Sequence, residues 1–163
     1  MTPANEGGAP GGPPDCGPLL LDAMLGTLAT YLRFCGYDAA YALDRDAEAD
    51  DALLALARAE DRTVLTRDRG VARRADDAVL LTERDVTDQL RELRAAGFAL
   101  SLPDRPRRCG RCNGPLDPVE AGASTPAYAP DPAATDVWRC RDCGQCFWLG
   151  SHWEDVAGTL ADL

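Results

Sequence analysis

Residues 18–36 read Pro-Leu-Leu-Leu-Asp-Ala-Met-Leu-Gly-Thr-Leu-Ala-Thr-Tyr-Leu-Arg-Phe-Cys-Gly. Leu19, Leu20 and Leu21 do not alternate with polar residues, so they read as a short strand buried on both faces and ended by Asp22. Leu25, Leu28, Leu32 and Cys35 then recur at helical spacing, and Gly36 supplies a C-terminal stop. A doubly buried strand followed at once by an amphipathic helix is the opening unit of a parallel α/β sheet.

The alternation continues outward from this unit. A second strand is predicted over 38–43, then an acidic loop, then a helix capped by Asp50 or Asp51 with Leu53, Leu56 and Ala57 on its apolar face. Thr63–Thr66 reads as a third strand, with Arg67, Asp68 and Arg69 immediately after it. A short helix over 70–75 leads to a strand over 78–81. Val86, Leu90 and Leu93 mark a helix opened by Thr82 or Asp85 and stopped at Gly97, and 98–102 is the last predicted strand. The runs are too short and too apolar for half-exposed hairpins, so the expected fold class is α/β, a doubly wound parallel sheet. Pro103 and Pro106 mark the end of this body. Beyond them the alternation stops and cysteine spacing takes over.

Composition sets the outer limits. The chain has 163 residues, 45% of them hydrophobic, with a formal net charge of −10, enough for one compact domain and a small appendage. The longest apolar stretch, 19–32, is broken by Asp22, Gly26 and threonines, so no membrane span is expected. The first 17 residues, rich in Gly and Pro, read as a disordered tail without the basic start or apolar run of a secretory signal. A cytoplasmic location is the resulting expectation. The charge argues against indiscriminate coating of nucleic acid. It is concentrated in 18–104, where 17 acids face 11 arginines.

Some of those acids hold a special position. In an open parallel sheet, ligands bind outside the carboxyl ends of the strands. Asp22 ends the first strand, Asp68 follows the third, Asp50 and Asp51 open one helix, and Asp85 and Asp88 open another. Convergent carboxylates need a cation, and Mg²⁺ or Mn²⁺ suits oxygen ligands and phosphodiester cleavage. The competing reading is that each acid simply caps a helix. Arg67 and Arg69 are placed to meet phosphates, whereas Arg73 and Arg74 read as a solvated helix face.

The chain has seven cysteines. Cys109-Gly-Arg-Cys112 and Cys140-Arg-Asp-Cys143 are two Cys-x-x-Cys turns whose thiolates can surround Zn²⁺, with rubredoxin-like iron as the chemical rival. Asn113-Gly114 and Gly144 supply the tight turns that follow. Cys146 permits another register, but ahead of Phe147 and Trp148 it reads as a small apolar strand residue. Cys35 reads as core and Cys16 as an unpaired thiol. The loop over 119–135 is expected to be mobile, and 156–163 to be a C-terminal tail. Arg105, Arg107, Arg108 and Arg111 form the one local basic patch. With Trp138, Phe147, Trp148 and Trp153 it could meet single-stranded nucleic acid, although the aromatics serve equally as the core of a small ribbon. For His152 a hydrogen-bonding or interface role stands beside a catalytic one.

These motifs together resemble a known family. They are Leu21-Asp22-x-Met24-Leu25-Gly26-x-Leu28-Ala29-x-Tyr31-Leu32-Arg33, Gly36-Tyr37-Asp38, Leu65-Thr66-Arg67-Asp68-Arg69, Gln89-Leu90, Arg108-Cys109-x-x-Cys112-Asn113-Gly114, Cys140-x-x-Cys143-Gly144 and Phe147-Trp148-x-Gly150-Ser151-His152-Trp153. Over positions 18 to 155 the chain is similar to the PIN-like ribonuclease domain with a C-terminal zinc ribbon called the Mut-seven C-terminal RNase domain. The resemblance implies a PIN-like nuclease domain at 18–104, a zinc ribbon at 105–155 and metal-dependent cleavage of RNA. It assigns metal-binding acids to Asp22, Asp50 and Asp68, with Asp85 or Asp88 as a fourth. The resulting expectation is catalysis by Asp22, Asp50, Asp68 and Asp88 with Mg or Mn, and substrate contacts from Arg33, Arg67, Arg69 and Arg108. Structural zinc is expected on Cys109, Cys112, Cys140 and Cys143, and RNA is the expected partner. A non-catalytic RNA- or ribosome-binding adaptor is the alternative, and a PIN-type toxin ranks below both.

Overall fold

The computed structural model describes residues 17–163. The tail expected at the N-terminus, with Cys16, lies outside the described residues apart from Gly17. Strands β1 (Leu19–Leu21), β2 (Ala39–Tyr41), β3 (Thr63–Thr66) and β4 (Ala78–Leu80) form a sheet in the order β2-β1-β3-β4. Every pairing in it is parallel, with Leu20 opposite both Ala40 and Val64. Helices α1 (Gly26–Phe34), α2 (Asp50–Glu60), α3 (Arg69–Arg74) and α4 (Val86–Ala95) make the connections and the final return. Short 3-10 turns, Ala23–Leu25 and Ala42–Arg45, follow β1 and β2. The predicted stops hold, with Gly36 at φ 95° and Gly97 at φ 104°.

Successive β1 side chains point to opposite faces, which explains the unbroken leucine run. Leu19 and Leu21, with Leu65, enter a core built with Leu28, Leu32, Leu90 and Leu93. Leu20 and Val64 enter a second core with Leu53, Leu54, Ala57 and Val71. Thus α1 and α4 cover one face and α2 and α3 the other, and the sheet is doubly wound as expected.

Three local expectations are corrected. Residues 98–102 form no strand. Phe98 and Leu100 are buried, but the Ala99 N–H donates to the Tyr37 hydroxyl at 3.0 Å and the Ala99 carbonyl accepts from it at 3.1 Å. A side chain thus satisfies the backbone groups that a strand partner would have taken. Neither Asp50 nor Asp51 caps α2, whose N-cap is Ala49 with no side-chain bond. Residues 156–163 are not a tail: α5 (Ser151–Ala161) runs through the boundary expected at 155, and its Val156 and Leu160 belong to the first core.

The cysteine-bearing part is a three-stranded antiparallel sheet of β5 (Leu116–Pro118), β6 (Trp138–Cys140) and β7 (Cys146–Phe147). The segment between β5 and β6 contains turns closed by the Ala123, Ala129 and Ala134 N–H groups. The Tyr128 hydroxyl accepts from the Cys146 N–H at 2.9 Å, and its ring lies 6.1 Å from that of Trp148.

This part is fastened to the edge strand β2. Ala39 turns its N–H and C=O away from β1: Asn113 Oδ1 accepts the N–H at 3.0 Å, and Arg33 Nε donates to the C=O at 2.8 Å. Arg33 Nη1 also donates to the Gly110 carbonyl at 3.1 Å. A Cβ on Gly110 would stand 3.2 Å from the Phe34 ring, so the first cysteine turn lies directly on α1.

Candidate metal centre and carboxylate edge

The two cysteine turns have matching backbones. In the first, the Cys109 N–H donates to the Gly114 carbonyl at 2.9 Å and the Asn113 N–H to the Cys109 carbonyl at 2.8 Å. In the second, the Cys140 N–H donates to the Gln145 carbonyl at 2.8 Å and the Gly144 N–H to the Cys140 carbonyl at 3.0 Å. The residue four beyond each leading cysteine is left-handed, Asn113 at φ 72° and Gly144 at φ 81°. Only residues tolerant of that conformation fit there.

These turns gather Cys109, Cys112, Cys140 and Cys143 so that all four Sγ atoms lie within 4.8 Å of one another. Cys109 Sγ is 3.6 Å from Cys143 Sγ, and Cys112 Sγ 3.4 Å from Cys140 Sγ. Four ligands at the usual Zn–S length of about 2.3 Å would be about 3.8 Å apart. The set therefore fits a tetrahedral ion. Burial pushes the Cys109 thiol up, and the Cys112 thiol up to about 11. Burial acts on Cys140 too, but the Cys143 and Asp142 N–H groups, each 3.4 Å from its sulfur, outweigh it and hold that thiol below its ordinary value. Four sulfurs gathered this closely, two of them buried, can all be thiolates only with a cation to balance them. Cys146 stands outside the cluster as a buried β7 residue, so the symmetric pairing is the one formed. Cys35 is core, and burial raises its thiol to about 12.

At the other candidate site the acids are less closely gathered. Asp22 is 5% exposed. Its Oδ1 accepts from the Ala23 N–H at 2.8 Å, and its Oδ2 from the Thr66 hydroxyl at 2.7 Å. The Thr66 Oγ1 in turn accepts from the Asp68 N–H at 3.0 Å. Asp68 is exposed and caps α3, its Oδ1 accepting from Gly70 at 2.7 Å and Val71 at 3.1 Å. Asp50, also exposed, is the first residue of α2. Asp85 caps α4, and Asp88 pairs with Arg91 at 2.7 Å. The structure thus links Asp22 to the Asp68 backbone through Thr66 and leaves Asp50 and Asp88 at helix starts without a bond to either. Among the described residues, the cysteines alone bring three or more candidate ligand atoms within 4.8 Å.

The arginines also divide. Arg33 is 3% exposed and spends its donors on Ala39 and Gly110, with Asp44 3.7 Å away, so it is a tie between the two parts of the chain. Arg108 lies over Asp38 at 3.8 Å and donates to the Asn113 carbonyl at 3.1 Å. Arg67 has a buried Nε with no partner among the described residues. Arg69 is exposed beside it, as are Arg73 and Arg74, the latter paired with Asp51 at 2.5 Å.

Two side chains with structural consequences escaped the sequence reading. Thr66 read only as the end of a strand, although a buried hydroxyl there must find a partner. Asn113 read only as a turn residue.

One family model, described as the Mut7-C RNAse domain, matches residues 18–160, spanning the α/β body, the cysteine turns and nearly all of α5. No curated protein and no solved structure matches the chain. No helix among the described residues is long and apolar enough to cross a membrane.

Proposed function

The chain belongs to the Mut7-C RNase domain family, and from that membership we propose that it is a ribonuclease cutting RNA phosphodiester bonds with a divalent cation held by Asp22 and Asp68. One observation carries the reading. Asp22 is a buried carboxylate at the end of β1, where α1 and α3 leave for opposite faces of the sheet, and Thr66 ties it to the loop bearing Asp68. Such a divergence point is where open α/β sheets bind ligands.

The donor set fits Mg²⁺ or Mn²⁺. Mg²⁺ commonly takes one or two carboxylates and completes its shell with water and substrate phosphate, so a group of three acids is not required. Asp68 keeps Oδ2 for this role, since its helix cap uses Oδ1. When bound, the cation would acidify a water and neutralise charge on the phosphate. Thr66 orients Asp22, while Arg67 and Arg69 face the substrate, the Arg67 Nε being a buried donor in need of an acceptor. Asp50 and Asp88, at the starts of α2 and α4, are the outer acids of this proposal. Zinc on the four cysteines is the structural ion.

Cleavage of single-stranded RNA with Mg²⁺ or Mn²⁺ tests the proposal. The wild type should cut, and Asp22→Asn and Asp68→Asn should each lose about a hundredfold or more, the scale of removing an essential catalytic group. A folded, zinc-loaded protein that cuts no RNA, or whose cutting survives both substitutions, overturns it. RNA binding without cleavage would favour the adaptor reading.

A further inference from the structure

The flank of α1 carries a groove of about 610 Å³. It begins at Gly26, the first residue of α1, and ends at Phe34, the last. Its starting point adjoins the 3-10 turn that Asp22 caps, because the Tyr41 hydroxyl on its wall donates to the Ala23 carbonyl at 2.6 Å. At the other end a second cavity, about 180 Å³, shares Phe34 and His152 with it and is walled by Phe147, Trp148 and Trp153. The two cavities thus lie next to each other, one beginning near the carboxylate edge and the other walled by a cluster of rings.

The charge along this path differs from that of the molecule. The chain carries −10, yet two guanidinium groups, Arg33 and Arg111, face the groove against the single carboxylate of Asp44. Arg33 is committed to backbone carbonyls, so the exposed Arg111 is the cation a ligand would meet. His152 is also exposed and touches Phe34 edge-on, with ring centroids 5.4 Å apart and planes at 75°. At that angle Phe34 covers at most one face of the exposed imidazole. A cation beside open ring faces is the combination that binds single-stranded nucleic acid, the charge serving the backbone and the rings the bases.

We propose that this groove carries the RNA single strand leading away from the carboxylate edge, with its phosphates near Arg111 and a base stacked on His152. The proposal rests on the ribonuclease reading for its substrate, but it concerns separate residues and is tested by binding. Thr27 is exposed in the first turn of α1 and lines the groove. A carboxylate there suits the helix N-terminus, so Thr27→Glu changes the groove's charge without harming α1.

The zinc-loaded full chain, with Asp22→Asn added to stop cleavage, is titrated into fluorescent single-stranded RNA oligonucleotides of increasing length, read by anisotropy. Affinity of the parent should rise with length. Arg111→Glu and His152→Ala should each weaken binding of the longer strands about tenfold, in line with one lost backbone or stacking contact. Thr27→Glu should weaken it and Thr27→Arg strengthen it, opposite signs that misfolding cannot produce. Equal affinity of all four variants with the parent overturns the groove. If the wild type cuts RNA and the variants bind as the parent does, the groove fails and the function stands. If nothing is cut but the affinities of the variants shift as stated, the function fails and the groove stands.

Discussion

Cys109 and Cys112 are held by backbone hydrogen bonds that close within their own turn, whereas Asp22 and Asp68 are linked only because β1 and β3 are neighbours and Thr66 stands between them. The first arrangement is local and repeated, with Cys140 and Cys143 held in the same way. The second depends on the sheet. A ligand set built locally is complete in itself and needs an ion to balance its charge. In the proposed site, a pair built across a sheet would supply only part of a coordination shell and leave room for water and substrate.

The largest expected effect breaks the local site. Chelation, or Cys112→Ala with Cys140→Ala, should remove the bound metal and unfold β5 to β7, since structural zinc is worth about 10–16 kcal/mol in small zinc modules. Metal content and the emission of Trp138, Trp148 and Trp153 report it; unchanged emission after complete metal loss would contradict the comparison. Next comes the tie across the sheet. Thr66→Val leaves the buried Asp22 Oδ2 without its donor and should cost about 1–3 kcal/mol in urea denaturation, with a matching fall in RNA cleavage. Thr66→Ser should restore both.

A smaller effect is expected where the two parts meet. Asn113→Gly keeps the left-handed turn but removes the part-buried bonds to Ala39 and Asp38, and should cost about 0.5–1.5 kcal/mol while metal content stays unchanged. Gly144→Ala disturbs the equivalent position of the other turn through backbone strain alone, about 1–2 kcal/mol.

The smallest effect lies in pH. Burial acts to raise the Asp38 carboxyl, but hydrogen bonds from Arg62 at 2.8 Å and Asn113 at 2.7 Å, helped by the charges of Arg62 and Arg108, hold it below the usual carboxylate range. Its contribution is full above its unfolded pKa and is lost as pH falls through the lower folded one. Asp38→Asn should therefore lower the melting temperature at neutral pH and flatten its decline in acid.

What is legible in the sequence follows the same division. The cysteine quartet was legible because its geometry is encoded by spacing, with Asn113 and Gly144 marking the turns. The leucine run of β1 disclosed a strand buried on both faces, and from it the parallel sheet. The positions of Asp22 and Asp68 at strand ends were legible too, but not the hydroxyl joining them, since Thr66 is 44 residues from Asp22. Residues 98–102 misled because their apolar pattern is that of a strand, while the partner of Ala99 is the Tyr37 side chain 62 residues away. Val156 and Leu160 of α5 gave no local sign of the distant core they enter.

The clasp on Ala39 has a consequence for solubility. A sheet edge with unpaired N–H and C=O groups invites another strand to dock, which is a route to aggregation. On β2 the outward groups of Ala39 are already taken by Asn113 and Arg33, and the turn that carries Asn113 also carries Cys109 and Cys112. Metal-depleted protein should thus expose a strand edge and self-associate, so an ion held by the four cysteines would also guard against aggregation at the edge of β2 that faces their turn.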